Sequence, residues 1–205
     1  SRGESAMKKY TIFKTNGVPD WSAVPAISAE CVLWEPDCGV RMAQQLCYDE
    51  TALYVRQRAK EAAVRAEYTA PLSPVHEDSC MEFFFALGED DRYFNFEINP
   101  NACFELGFGP NRSNRIRLCH KDEQETFRAR CARTPDGWTA EYRLPLEFLR
   151  LFYPDLRLEP GASFRANCYK CGDRTERPHF LAWNPVASGT PDFHRPQDFG
   201  SMCLA

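Results

Sequence analysis

Apolar and polar side chains alternate with a period of two along most of this chain. Successive side chains of a β-strand point to opposite faces, so this alternation is typical of strands that bury one face. It covers residues 53–60, 81–85, 93–99, 127–131, 138–144, 164–171, 180–183 and 202–204. The one helical pattern covers residues 146–153, between Pro145 and Pro154. The sequence therefore predicts an all-β fold, an antiparallel β-sandwich of two packed sheets with one short helix.

The 205 residues contain no internal repeat, low-complexity tract or linker. Many β-proteins of this length form one large domain, and we expect residues 7–205 to do so. Residues 1–6 have the composition of an expression scar before a natural start at Met7. No apolar leader follows Met7, so we expect a cytoplasmic protein, or a secreted one if the chain is a fragment.

Ten cysteines are present, and the cytosol keeps thiols reduced. Cys168 and Cys171 form a C-x-x-C pair on a predicted strand. No second pair accompanies them to complete a zinc site. We therefore expect mainly free, structural thiols.

Charge and motifs argue against several function classes. The 25 basic and 29 acidic residues are intermixed, with a formal net charge of −4, so we expect no nucleic-acid partner. No apolar run is long enough to cross a bilayer, so we expect no membrane partner. Signatures of serine hydrolases, zinc proteases, P-loop proteins and dinucleotide-binding proteins are absent, and the four histidines lack metal-ligand spacing.

The polar face of the predicted strands carries amide, carboxylate and phenol groups. Such groups can bond neighbouring sugar hydroxyls, and aromatic rings can pack against the C–H face of a sugar. On composition alone, an ordinary solvated sheet face is the favoured interpretation. The residues at these alternate positions are Glu82, Tyr93, Asn95, Glu97, Asn99, Asn167 and Tyr169.

Four segments resemble family 9 carbohydrate-binding modules and their single-domain relatives. They are residues 49–55, 76–84, 94–100 and the ending 181–200, in the order of the family. The resemblance covers nearly all of the chain after about Trp34. It implies a β-sandwich that binds the ends of sugar chains between two aromatic rings, with structural calcium.

Compared residue by residue, the chain matches only some of the family's sugar-binding residues. His76 and Phe193 take the places of the two clamping tryptophans, and Glu82 matches the carboxylate that bonds sugar hydroxyls. Glu97 stands where the family has an arginine, which reverses a charge. The residues implied to bind ligand are His76, Glu82, Glu97, Asn99 (which matches the family's asparagine), Asn167 (in place of its glutamine) and Phe193.

The geometry of strands predicts how these residues meet. Glu97 and Asn99 are two apart and share a face, and the strand of Glu82 is expected to pair with theirs. We expect the three to point into one concave face, with His76 and Phe193 on its rim. Alternatively, Phe193 anchors the C-terminal loop to the core.

Three functions remain open from the sequence. The resemblance implies non-catalytic carbohydrate binding, linked to the breakdown of a polysaccharide such as xylan. A second hypothesis is a ligand- or protein-interaction sandwich that has lost sugar binding. The weakest is a glycoside hydrolase using Glu82 and Glu97. No cofactor is required by any motif; the calcium implied by the family would take oxygen ligands such as Asp90 and Asp91.

Overall fold

The computed structural model describes residues 7–205 and consists mostly of strands. The expression scar predicted for residues 1–6 lies outside the described residues. The strands are β1 (Lys9–Lys14), β2 (Ile27–Ala29), β3 (Cys31–Val32), β4 (Arg41–Tyr48), β5 (Ala52–Lys60), β6 (Cys80–Ala86), β7 (Tyr93–Ile98), β8 (Phe104–Gly109), β9 (Ile116–Leu118), β10 (Arg130–Thr134), β11 (Gly137–Pro145), β12 (Ser163–Cys171), β13 (Phe180–Ala182) and β14 (Gly200–Leu204). The α-helices are α1 (Glu123–Phe127) and α2 (Leu146–Leu149), and short 3-10 turns cover Trp21–Ala23, Val75–Glu77 and Pro196–Asp198.

The strands form one continuous, curled sheet. Its order is β10-β11-β5-β4-β1-β14-β12-β6-β7-β8-β9, with β2 on β4 and with β13 between β12 and β3. β1 pairs in parallel first with β14 and then with β4, and every other pairing in the described chain is antiparallel. The all-β prediction is confirmed. The purely antiparallel pairing is wrong, and the division into two separate sheets is not confirmed, because β1 joins both arms.

The main core lies between the two arms of this sheet. Phe96 of β7 stacks on Tyr142 of β11 with ring centroids 3.9 Å apart, although the two strands stand in different arms. Phe83, Phe85 and Phe94 are fully buried in the same core. Aromatic rings of this size each remove a large apolar area from water, so their alternation along β6 and β7 fixes which face of these strands points inward.

The helical parts of the chain differ from the prediction in two places. The helix predicted over 146–153 ends at Leu149. The strand predicted over 127–131 begins later than expected, because Phe127 closes α1 and β10 covers Arg130–Thr134. Arg128, between them, has a left-handed φ of 48°. The Phe127 ring packs edge-on against Phe148 at 5.1 Å, and this buried contact favours a helical turn over a strand at its position.

All ten cysteines are unpaired. No helix within residues 7–205 is long and apolar enough to cross a membrane.

A buried ion pair lies at one end of the main core. Lys170 of β12 is completely buried, and its ammonium lies 3.1 Å from Oε1 of Glu61. The same carboxylate accepts hydrogen bonds from Nε1 of Trp138 at 2.9 Å and from the hydroxyl of Ser79 at 2.8 Å. His179 completes the cluster, with Nε2 lying 2.8 Å from the Lys170 ammonium. A buried charge pair with satisfied hydrogen bonds is tolerated, whereas either charge alone is strongly unfavourable.

Replacing the buried lysine tests this cluster. We expect Lys170→Met to lower the free energy of unfolding by about 3–5 kcal/mol, because it leaves the Glu61 carboxylate buried without a cation. Urea denaturation measures the change, and Lys60→Met, at an exposed position of β5, is the matched control, with an effect within about 0.5 kcal/mol. Equal effects of the two substitutions would show that the Lys170 charge is not needed.

The histidine of this cluster predicts a pH dependence of stability. Burial, assisted by the nearby Lys170 ammonium, lowers the pKa of His179 to about 4 from an ordinary value of 6.5. The unfolded chain therefore binds more protons than the folded one between these values, and stability falls as the pH drops from 6.5 to 4. We expect His179→Gln to flatten this part of the profile by up to about 3 kcal/mol. Parallel profiles for both proteins would contradict the assignment.

Candidate functional site

Three glutamates form a row across three neighbouring strands near one end of the sheet. Glu82 of β6 lies opposite Glu97 of β7, and Glu97 lies opposite Glu105 of β8. Their side chains share the face of the sheet that points away from the main core, yet each residue is less than 5% exposed. Loops cover this face and leave a cavity of about 410 Å³ above the glutamates. The cavity is lined by Trp34, Leu72, Pro74, His76, Glu82, Glu97, Glu105, Arg112, Arg115, Arg117, Cys171, Asp173, Phe180, Pro191, Asp192, Phe193 and His194.

Aromatic rings form one wall of the cavity. Trp34 is half-buried, with its ring centroid 5.3 Å from that of Phe180 and 5.4 Å from that of Phe193. Its indole N–H donates to the carbonyl of Ser188 at 2.7 Å, which fixes the ring. The backbone at Trp34 has a left-handed φ of 57°. Few bulky residues adopt this conformation, so the surrounding contacts must hold it.

Arginines from the segment after β8 form a second part of the cavity wall. Arg115 donates from Nη1 to Oε1 of Glu105 at 3.1 Å and to Oδ1 of Asn95 at 3.2 Å. Nε of Arg117 lies 2.8 Å from the same Glu105 oxygen. Arg112 also lines the cavity and is exposed. The wall therefore brings several N–H donors beside the acceptor oxygens of the floor.

Burial changes the protonation of the two other glutamates. It raises the pKa of Glu82 well above its usual range, with the neighbouring Cys171 and Glu97 adding to the effect. It also raises the pKa of Glu97, to which Glu105 adds. Glu97 lies directly opposite Glu82 on the paired strand, and like charges this close disfavour full ionisation of both carboxyl groups.

The sequence matches the model of carbohydrate-binding family 9 over residues 17–204. The chain belongs to this family. Its fold is similar to that of a Bacteroides uniformis ATCC 8492 protein whose carbohydrate binding is a proposed function, with a TM-score of 0.85, 23% identity, and coverage of 98% of this chain and 100% of that chain.

Family 9 modules of Caldicellulosiruptor kristjanssonii have the same fold. The module in complex with cellotriose has a TM-score of 0.69 at 14% identity and covers 96% of this chain and 93% of its own. The module in complex with glucose has a TM-score of 0.69 at 14% identity, and the match covers 97% of this chain and 96% of the module. A comparison with curated protein sequences found no match.

Four of the six residues that the family resemblance implied line the cavity of this family 9 domain: His76, Glu82, Glu97 and Phe193. Phe193 is only 7% exposed, and its ring stacks on Tyr169 at 4.1 Å. This packing agrees with the alternative that Phe193 anchors the C-terminal loop, and the ring is not an open clamp face. Trp34 is the more accessible aromatic ring of the wall, and the sequence analysis missed it.

The structure places Asn99 outside the cavity wall. Its Oδ1 accepts from the backbone N–H groups of Asn101 and Cys103, and its Nδ2 donates to Oδ2 of Asp78 and the carbonyl of Tyr68. The amide is therefore fully used in holding the turn after β7, and Asn99 does not join Glu82 and Glu97 in the cavity wall.

Asn167 also lies outside the cavity wall, further along β12. Its Oδ1 accepts from the backbone N–H groups of Cys168 and Asn184, both at 2.9 Å. Its Nδ2 donates to the carbonyls of Asn184 and Asp198. Three of these contacts tie the C-terminal segment to β12, and the four together leave no free hydrogen-bonding group on the amide.

The residues suggested for calcium lie on the loop before β7. The Asp90 carboxylate is bound to the guanidinium of Arg92, with Nε 2.7 Å from Oδ2. Asp91 is exposed. Structural calcium at this loop stays a prediction.

Gly107 makes room for the arginine wall. A Cβ atom at this position of β8 would lie 2.3 Å from Oδ1 of Asn95 and 2.6 Å from Nη1 of Arg115. Both distances are shorter than van der Waals contact, so only glycine lets these polar groups meet above the strand.

A methyl group at this position should disturb the site. We expect Gly107→Ala to lower the free energy of unfolding by about 1–3 kcal/mol, since the buried Asn95 amide and the Arg115 guanidinium must move. Thermal unfolding measures it. Gly189→Ala is the matched control, because a Cβ atom there would meet nothing within 4 Å. An equal, small effect of both substitutions would show that the wall is loosely packed.

Proposed function

We propose that this domain binds a carbohydrate without cleaving it, in the cavity above the glutamate row. The observation that carries the proposal is the combination of an aromatic wall with a floor of carboxylates and a wall of guanidinium groups. A sugar offers an apolar C–H face together with hydroxyl groups that both donate and accept. The cavity of about 410 Å³ falls within the size range of small-molecule sites. The complexes of the Caldicellulosiruptor modules with cellotriose and glucose support the same ligand class.

The proposed contacts follow from the positions of the side chains. Trp34 packs against the C–H face of the sugar, and His76 closes the opposite edge. Glu97 accepts hydrogen bonds from sugar hydroxyls, while Arg112 and Arg115 donate to them. Phe193 supports the Trp34 ring from behind through their 5.4 Å contact.

The geometry of the carboxyl groups supports binding rather than hydrolysis. Retaining glycosidases hold their two catalytic carboxyls about 5–5.5 Å apart, and inverting enzymes hold theirs further apart. Glu82 and Glu97 lie side by side on paired strands and are both almost completely buried, which leaves little room for a scissile bond between them. A link to polysaccharide breakdown would then come from a separate catalytic protein or domain.

The Trp34 ring tests the proposed function. A glycan array, followed by calorimetry with the best ligand, glucose and cellotriose, should detect binding by the unaltered protein. We expect Trp34→Ala to weaken it about tenfold or more, which corresponds to about 1.4 kcal/mol for the lost ring contact.

Two controls accompany this experiment. Trp21→Ala removes a half-buried indole that does not line the cavity, and should leave the affinity unchanged. Trp34→Phe should recover part of the affinity if the ring face is what matters. Absence of sugar binding by the unaltered protein would favour an interaction domain that has lost the activity. Release of reducing sugar, abolished in Glu82→Gln, would instead establish a hydrolase.

A further inference from the structure

The floor of the same cavity also holds a group of side chains of the types that bind metal ions. One nitrogen of the His76 imidazole and one carboxylate oxygen each from Glu97 and Glu105 lie within 4.8 Å of one another. The residues come from three places in the chain: the turn before β6, then β7 and β8. Three side chains of types that bind metal ions therefore lie close together in the lining of the cavity.

Within residues 7–205, arginine side chains compensate the charge of only one glutamate of the row. Arg115 and Arg117 both form an ion pair with Oε1 of Glu105. Among the described residues, Glu82 and Glu97 form no ion pair with an arginine or a lysine. Like charges directly opposite each other on a sheet are destabilising, and burial removes the screening by water. The ionised form of the row is therefore favoured only when a further positive charge lies beside it.

A separate observation also indicates a missing partner. Glu82 is only 3% exposed, and its Oε2 has no hydrogen-bond partner among the described residues. Its Oε1 lies 3.9 Å and 3.7 Å from the thiols of Cys80 and Cys171, which are weak donors. Glu82 lines the same cavity and lies directly opposite Glu97 on the paired strand. Buried polar atoms in native proteins are normally satisfied, so this oxygen calls for a ligand.

We propose that His76, Glu97 and Glu105 bind one divalent transition-metal ion of the zinc type at the floor of the cavity, beside the Glu82 carboxylate, whose Oε2 is unpartnered among the described residues. An imidazole and carboxylates are typical zinc ligands. Calcium instead takes six to eight oxygen ligands, which this mixed set does not supply. Three protein ligands leave a coordination position open, and here it faces the cavity.

The arginines limit how tightly the ion is held. Their guanidinium groups lie 3.1 Å and 2.8 Å from the Glu105 carboxylate and repel a cation bound to it. We therefore expect a dissociation constant on the order of micromolar, weaker than that of a structural zinc site. Binding of the metal does not require a sugar, so this inference stands or falls separately from the proposed function.

The metal alone, without any sugar, is the probe. Protein stripped with a chelator is titrated with Zn²⁺ by calorimetry, and we expect a single site. His76→Ala changes a side chain that is 44% exposed, so it should fold normally, and Glu97→Gln replaces the carboxylate by a neutral group of the same shape. We expect each to weaken Zn²⁺ binding at least about tenfold. Glu147→Gln, on the exposed side of α2, is the control and should bind as the unaltered protein does.

Cobalt distinguishes this site from the thiols. Cys80, Glu82 and Cys171 form a second, fully buried group with metal-ligand spacing, and the exposed Cys119 and Cys203 could also bind zinc. Co²⁺ bound by imidazole and carboxylates should show visible absorption without the near-ultraviolet band of a thiolate ligand, and His76→Ala should abolish it. A thiolate band, no binding of Zn²⁺, or equal binding by His76→Ala, Glu97→Gln and the control would each overturn the proposal.

Discussion

Three carboxyl groups face one another because β6, β7 and β8 pair in a single register, which puts Glu82 opposite Glu97 and Glu97 opposite Glu105. A shift of one residue would turn all of them into the main core, so the packing of the phenylalanines on the other face holds this arrangement in place. Each of the three carboxyl groups has different surroundings. Two arginines bind Glu105, the amide of Asn95 donates to Glu97 at 2.8 Å, and burial raises the pKa of Glu82.

Strand β7 shows what an alternating sequence predicts about a strand and what it does not predict. The alternation correctly predicts that Phe94 and Phe96 point to the core while Asn95 and Glu97 point away from it. It also suggests that the second face is wet, whereas every residue of β7 is buried. The chain segments before β6 and after β13 cover that face, and the polarity of a strand contains no information about what other parts of the chain lie over it.

Features set by distant parts of the chain could not be predicted. The parallel pairing of β1 with β14 joins residues about two hundred positions apart, and no local pattern marks it. α1 was missed because the buried contact between Phe127 and Phe148 overrides a short alternating pattern. In the site, the family resemblance identified four cavity residues but missed Trp34 and the arginines of 112–117, which lie in irregular segments or on a very short strand.

The arginines within residues 112–117 change the interpretation of Glu97, which stands where the family has an arginine. The family resemblance places an arginine at this position, and its loss suggests a cavity without a cation. Arg112, Arg115 and Arg117 return guanidinium groups to the cavity from the neighbouring segment, beside the carboxylates instead of in place of them. A ligand then meets acceptors at the floor and donors at the wall. Hydroxyl groups satisfy both because each donates and accepts, so among organic ligands this arrangement favours a neutral polyol over one with a single charge.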